Sequence, residues 1–284
     1  MCSTDEGERD DMDYSANCST LFTRWPVWDR PGIAADAGFD AVEFWWPFPD
    51  AVPDDAEVSR FEEAIGNAGV RLTGLNLFAG DMAAGDRGVL SSPSREREFQ
   101  ENVAVVAEIG ARLGCRLFNA LYGAREDGES PQHQDEVALA NLALAAERVA
   151  GIGGTILVEP VSGVPGYPVK TAEDALAVVG RVREQTGRGN VRLLADFYHL
   201  AVNGEDVAAV VERHAPVFGH VQIADSPGRG APGTGELPLQ EWVRRSRELG
   251  YAGRVGLEYL DPAGTDHGWR AEWDRDGQQK EKDE

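Results

Sequence analysis

The stretch "GTILVEPVSGVPGYPVKTAEDALAVVGRVREQTGRGNVRLLADFYH", residues 154–199, contains one full unit of the fold. It opens on a β-rich apolar run, "GTILVEPV" (154–161), and takes up helical period at "TAEDALAVVGRVREQTG" (171–187). Thr171 suits the N-cap position, and the acidic residues behind it occupy the first turn, where the helix dipole favours negative charge. A second β-run, "VRLLADFYH" (191–199), follows the closing glycine. Strand, helix and strand, with both strands nearly all apolar, is the pattern of two parallel strands joined by a crossover helix.

The same alternation runs along the chain. Further β-runs are "YSANC" (14–18), "DAVEFWW" (40–46), "VRLTGLNLF" (70–78), "CRLFNAL" (115–121), "GHVQIAD" (219–225) and "GRVGLEYL" (253–260), which brings the set to eight. Helical periodicity fills 93–114, 134–153 and 239–253, and several helices end on glycine just before the next β-run, as in "AGVRLTGL" and "LGCRLFNA". Eight such units within 284 residues fit a closed α/β barrel, the (β/α)8 TIM barrel, better than an open doubly wound sheet. An open sheet would also carry a phosphate-binding G-x-G-x-x-G after its first strand, and "YSANCSTLF" has none. The expected organisation is one barrel domain over 13–273, with a disordered acidic tail at 1–12 and a charged tail at 274–284.

Composition narrows the function. Hydrophobic residues make up 42% and charged residues 27%, an ordinary globular balance. The net charge of −22 opposes nucleic-acid binding, which needs a basic surface, and adsorption to anionic membranes. Three cysteines, Cys2, Cys18 and Cys115, show neither a disulfide framework nor metal spacing. The acidic N-terminus lacks the apolar core of a signal peptide, and no apolar run reaches the roughly 18 residues of a membrane span. These features lead us to expect a cytoplasmic protein acting on a small molecule, with a homo-oligomer left open.

In such a barrel, chemistry gathers at the C-terminal ends of the strands. The last four β-runs each place a polar group there: Glu159 in "ILVEP", Asp196 and His199 in "LLADFYH", Gln222 in "HVQIAD" and Glu258 in "VGLEY". Each follows apolar residues, where an unpaired carboxylate is costly. Positions 159, 196, 222 and 258 recur about once per strand–helix unit, so one shared mouth is expected to receive them. Three carboxylates and a carboxamide suit a hard divalent cation, Mg²⁺ or Mn²⁺, with Gln222 as a neutral fourth oxygen ligand. His199 taken alone reads more often as a satisfied core histidine. Arg229, in the glycine-rich loop "PGRGAPGTGE" (227–236), is either a solvated loop residue or a partner for a substrate carboxylate. That loop has no following "GK[ST]" and is not a nucleotide P-loop. Glu43 and Asn76 repeat the strand-end pattern more faintly, and "FWWPF" (44–48) is expected to pack rather than bind.

The segments "SANCSTLFTRWPVWDRPGIAADAGFDAVEFWWPF", "GLNLFAGDMAAGDRGVL", "VEPVSGVPGY", "HVQIADSPGRGAPGTGE" and "GLEY" resemble the hydroxypyruvate isomerase family, within the sugar isomerase/epimerase group of TIM barrels. The resemblance covers roughly 13–273. It implies a metal-dependent aldose–ketose isomerase of a small hydroxy-oxo acid, working through a cis-enediolate. Glu159 and Glu258 would be the catalytic pair. Glu159, Asp196, Gln222 and Glu258 would hold the metal, while His199 and Arg229 would bind substrate. The chain departs from the family at Gly230 and Ala231, where His-Glu is common, and at Leu260, where lysine is common.

The implied reaction is hydroxypyruvate to tartronate semialdehyde. A 2-oxo-tetronate isomerase or a ketose 3-epimerase would use the same site. A metal-dependent phosphodiesterase of the AP-endonuclease kind needs a histidine-rich site and a basic groove, which five histidines and a charge of −22 do not supply. A binding barrel that kept its ligands without turnover is the remaining class.

Overall fold

A computed structural model of the chain describes residues 14–265, 267–270 and 273, so the expected tails at 1–12 and 274–284 lie outside the described residues. Eight strands pair in sequence order, each parallel to the next, and the last closes on the first. They are β1 (Tyr14–Asn17), β2 (Ala41–Phe44), β3 (Arg71–Asn76), β4 (Leu117–Asn119), β5 (Thr155–Val158), β6 (Val191–Asp196), β7 (Phe218–Ile223) and β8 (Val255–Leu257). The helices between them are α1 (Arg30–Asp36), α2 (Asp55–Ala68), α3 (Glu96–Leu113), α4 (Pro131–Ala150), α5 (Ala172–Thr186), α6 (Phe197–Val202), α7 (Val207–His214) and α8 (Leu239–Glu248). This is the (β/α)8 barrel that the sequence pattern predicts.

Local chemistry explains the boundaries. Thr171 Oγ1 accepts from Asp174 N–H at 3.0 Å and the Asp174 carboxylate accepts from Thr171 N–H at 2.9 Å, a reciprocal cap that starts α5. Asp54 and Glu57 make the same box at α2. Gly69 and Gly114 close α2 and α3 in the left-handed region, at φ 70° and 75°, which stops each helix and turns the chain into the next strand. The strands are short and almost wholly buried because helices cover their outer faces, and one apolar cluster joins barrel and helices. Among the described residues, no helix is long and apolar enough to cross a membrane.

Candidate active site

At the barrel mouth, all eight strands present a polar side chain at or next to their C-terminal ends. These are Asn17, Glu43, Asn76, Asn119, Glu159, Asp196, Gln222 and Glu258, and none is more than 8% exposed. Strand register sets the neighbours: Asn17 lies opposite Glu43, Asn76 opposite Asn119, and Asp196 opposite Gln222. The spacing of the four expected ligands therefore reflects a true ring, and Glu43 and Asn76 belong to it.

Glu159 and Asp196 share a histidine. Nε2 of His199 lies 3.8 Å from Glu159 Oε1 and 3.7 Å from Asp196 Oδ2. Ser162 donates its backbone N–H to His199 Nδ1 at 3.0 Å, and its hydroxyl is 2.7 Å from the same atom. A nitrogen that accepts from a main-chain amide keeps its lone pair, so the neutral ring carries its proton on Nε2, aimed between the two carboxylates. Burial pushes the His199 pKa down to about 4 against the pull of Asp196, with the Arg229 charge adding to the fall. His199 is thus a neutral hydrogen-bond donor at the mouth.

The carboxylates are held differently. Glu159 Oε2 accepts from Asn119 Nδ2 at 2.6 Å. Asp196 Oδ1 caps α6 by accepting from Tyr198 N–H at 2.8 Å and His199 N–H at 3.2 Å. Glu258 takes Asn17 Nδ2 at 3.1 Å, the Trp45 indole N–H at 3.2 Å and the Arg229 guanidinium at 2.6 Å. Burial raises the proton affinity of Glu159 well above the usual carboxylate range, and the charges of Glu258 and Asp196 raise it further. Glu258 is also raised, by burial first, with Arg229 opposing and Asp196 and Glu43 reinforcing the shift.

Arg229 is no solvated loop residue. Its side chain is 18% exposed, stacks over Tyr198 with 5.4 Å from guanidinium carbon to ring centre, and stands 3.9 Å from Asp196 Oδ2. Its backbone sits in the left-handed region at φ 54°, unusual for a residue with a side chain. The strained turn is pinned by Leu260 N–H donating to Arg229 O at 2.8 Å and by Asp225–Gly230 pairing. Asp225 fixes the loop from beneath, accepting from the backbone amides of Ser226, Gly233 and Leu237 at 2.8, 2.9 and 3.0 Å.

The residues fit a cation. Three buried carboxylates face one guanidinium, an imbalance that a buried site tolerates poorly. Buried acceptors without a hydrogen-bond partner include Asp196 Oδ2 and Gln222 Oε1, and also Glu43 Oε1 and Asn119 Oδ1. Glu159, Asp196 and His199 each offer a ligand atom within 4.8 Å of the others. In the tautomer set by Ser162, however, His199 donates at Nε2 and has no free electron pair there. Oxygen donors with unpaired valences are what a hard divalent ion requires.

Three site residues escaped the sequence reading. Asn17 and Asn119 end their β-runs as Asp196 does, so the same strand-end rule would have found them. Trp45 corrects the expectation for "FWWPF". Phe44 and Phe48 pack as expected, at 1% and 5% exposure, but the Trp45 indole reaches Glu258. Cys18 and Cys115 are buried free thiols, while Cys2 lies outside the described residues; burial pushes the Cys115 thiol up to about 12 and raises Cys18 as well.

Residues 31–277 match the family described as "Xylose isomerase-like TIM barrel". The chain belongs to that family. It is 48% identical to the "Putative hydroxypyruvate isomerase" of Streptomyces coelicolor, over 91% of this chain and 95% of that protein. It is 31% identical to the "Hydroxypyruvate isomerase" of Escherichia coli, over 90% of this chain and 96% of that one. A solved structure titled AP endonuclease, family 2, from Brucella melitensis superposes with a TM-score of 0.81 at 32% identity, covering 91% and 98% of the two chains. Within this family the chain is an isomerase of the hydroxypyruvate isomerase group. Of the positions at which the resemblance marks departures, Ala231 is buried at 3% on the Arg229 loop and Leu260 is exposed at 56% beyond β8.

Proposed function

We propose that this protein is a divalent-metal-dependent isomerase that interconverts hydroxypyruvate and tartronate semialdehyde. The observation that carries this reading is the pair Glu159 and Glu258. Both are buried and raised in proton affinity, and they leave strands three places apart around a mouth that also holds the unpaired acceptors Asp196 Oδ2 and Gln222 Oε1. A carboxyl poised toward neutrality suits proton transfer at carbon in both directions.

Glu159, Asp196, Gln222 and Glu258 would hold the cation, which when bound supplies a Lewis acid for the substrate's carbonyl. One glutamate takes a proton from the hydroxymethyl carbon while the other delivers one to the neighbouring carbonyl carbon. The hydroxyl proton passes between the two oxygens, so the acid is rearranged with no net redox change. Asn119 and Asn17 fix the two glutamates, and the neutral Nε2–H of His199 orients a substrate oxygen. Arg229 receives the substrate carboxylate. The name of the Streptomyces coelicolor relative, at 48% identity, supports the three-carbon acid, and a 31% identical relative named 2-oxo-tetronate isomerase keeps the four-carbon acid as the second reading. The acidic chain and the oxygen-rich ring argue against phosphodiester cleavage.

Solvent deuterium incorporation tests the proposal. Hydroxypyruvate and a four-carbon 2-oxo-tetronate are incubated in deuterated buffer with the protein, before and after EDTA and after added Mn²⁺ or Mg²⁺. Exchange into hydroxypyruvate that is lost on chelation and restored by metal is the expected result. Exchange indifferent to chelation would sink the metal reading, and exchange into the longer acid alone would move the substrate. Tight binding without exchange would make the chain a binding barrel.

A further inference from the structure

One member of the ring, Glu43, makes a buried contact with a histidine that the reaction does not use. Glu43 and His220 are each 2% exposed, and Glu43 Oε1 stands 2.7 Å from His220 Nε2, bent away from the line of a hydrogen bond. The other carboxylate oxygen, Oε2, accepts from Gln222 Nε2 at 3.0 Å. Two glycines make room for this group. A Cβ on Gly256 would stand 2.6 Å from Glu43 Oε2 and 2.8 Å from Gln222 Cγ, and one on Gly74 would stand 3.2 Å from Glu43 Cγ.

We propose that Glu43 is the positioning residue for Gln222, setting its carboxamide so that the oxygen and not the nitrogen faces the metal. The inference rests on the reading of Gln222 as a metal ligand. A carboxamide has two nearly isosteric ends, and only one of them can ligate a cation. With Nε2 held on the Glu43 carboxylate, Oε1 must turn the other way, and it is the atom left buried without a partner. The reverse orientation would set Oε1 against Glu43 Oε2, two acceptors in contact. Glu43 thereby orients the ligand through Oε2 while its Oε1 stands beside His220. His220 is held in turn from the far side, where its Nδ1 lies 3.4 Å from the Tyr251 hydroxyl, which donates to Arg254 O at 2.5 Å.

The test is calorimetric titration of MnCl₂ into the full-length protein stripped of metal. Glu43→Leu should weaken Mn²⁺ binding by about 10- to 100-fold, the usual effect of losing a partner that orients a ligand. Glu43→Gln should stay close to wild type, because its amide oxygen still accepts from Gln222 and its amide nitrogen faces His220. In a Gln222→Glu background, Glu43→Leu should cause no loss, since a carboxylate presents an oxygen either way round. If Glu43→Leu proves unstable, Glu43→Leu with His220→Leu removes both partners together and carries the same expectation. Wild-type affinity in Glu43→Leu, or an equal loss in both backgrounds, overturns the proposal. Wild-type affinity in Gln222→Leu instead overturns the reading of Gln222 as a ligand, and the positioning role falls with it.

Discussion

Arg229 holds Glu258 at two points, donating from Nη2 to the carboxylate at 2.6 Å and from Nε to the main-chain carbonyl at 3.1 Å. The loop after β7 is thereby locked to the exit of β8, and a guanidinium is held at the barrel mouth. Arg229→Met should lower kcat/KM for hydroxypyruvate by roughly tenfold to a hundredfold, the equivalent of one charge-assisted hydrogen bond. Steady-state kinetics would show KM rising and kcat falling together. A fall in kcat alone would confine Arg229 to holding Glu258.

Glu159→Gln and Glu258→Gln should each cut solvent exchange at the substrate carbon by about 10²- to 10⁴-fold, the range of a lost general acid or base. Both should fold. A carboxyl whose proton affinity rises on folding costs stability at pH above its ordinary range, because the native state must bury a charge that the unfolded chain carries in water. At pH 7 the metal-free variants should therefore melt at or above the wild-type temperature by calorimetry. A large fall in melting temperature would mean the glutamates are structural.

Asp225→Asn leaves one acceptor where two carboxylate oxygens now serve three backbone amides. Gly233 N–H, which bonds to Oδ2, then faces an amide nitrogen or forces the other two bonds to break. An unsatisfied buried donor costs about 1–3 kcal/mol. The expected outcome is a melting temperature lower by several degrees and a raised KM, because the same loop presents Arg229. An unchanged KM would separate the loop's stability from substrate binding.

Asp196→Asn isolates the metal from the helix cap. The variant keeps an Oδ1 acceptor for the amides of Tyr198 and His199 but loses the charge on Oδ2. Saturating Mn²⁺ at about 100 times its dissociation constant should stabilise wild type by about 2.7 kcal/mol and the variant far less. Thermal melts with and without Mn²⁺ measure the difference. Equal stabilisation would remove Asp196 from the ligand set.

The barrel was legible because its signals are local and repeated. Thr171 with Asp174, Gly69, Gly114 and the short β-branched runs each declare an element, and eight similar units leave few other closed arrangements. Asp196, Gln222 and Glu258 were legible for a related reason: a polar residue ending an apolar run has few bland explanations. Partners brought by register were not. Nothing near position 119 says that its amide will meet Glu159, since that contact depends on β4 pairing with β5. Trp45 was hidden within an aromatic row whose neighbours truly pack. The seat of Arg229 depended on a left-handed backbone turn that no composition rule foretells.

A (β/α)8 barrel is ordinarily plugged with bulky branched side chains. Here Gly74 and Gly256 give that space to Glu43, so the plug is partly polar and hollowed to fit one carboxylate. Thermostability screens that enlarge small interior residues should find position 256 closed, because a Cβ there would stand 2.6 Å from Glu43 Oε2 and 2.8 Å from Gln222 Cγ. In that layer the barrel gives up one methyl group at position 256 to keep a carboxylate in its interior, a trade of packing for polarity.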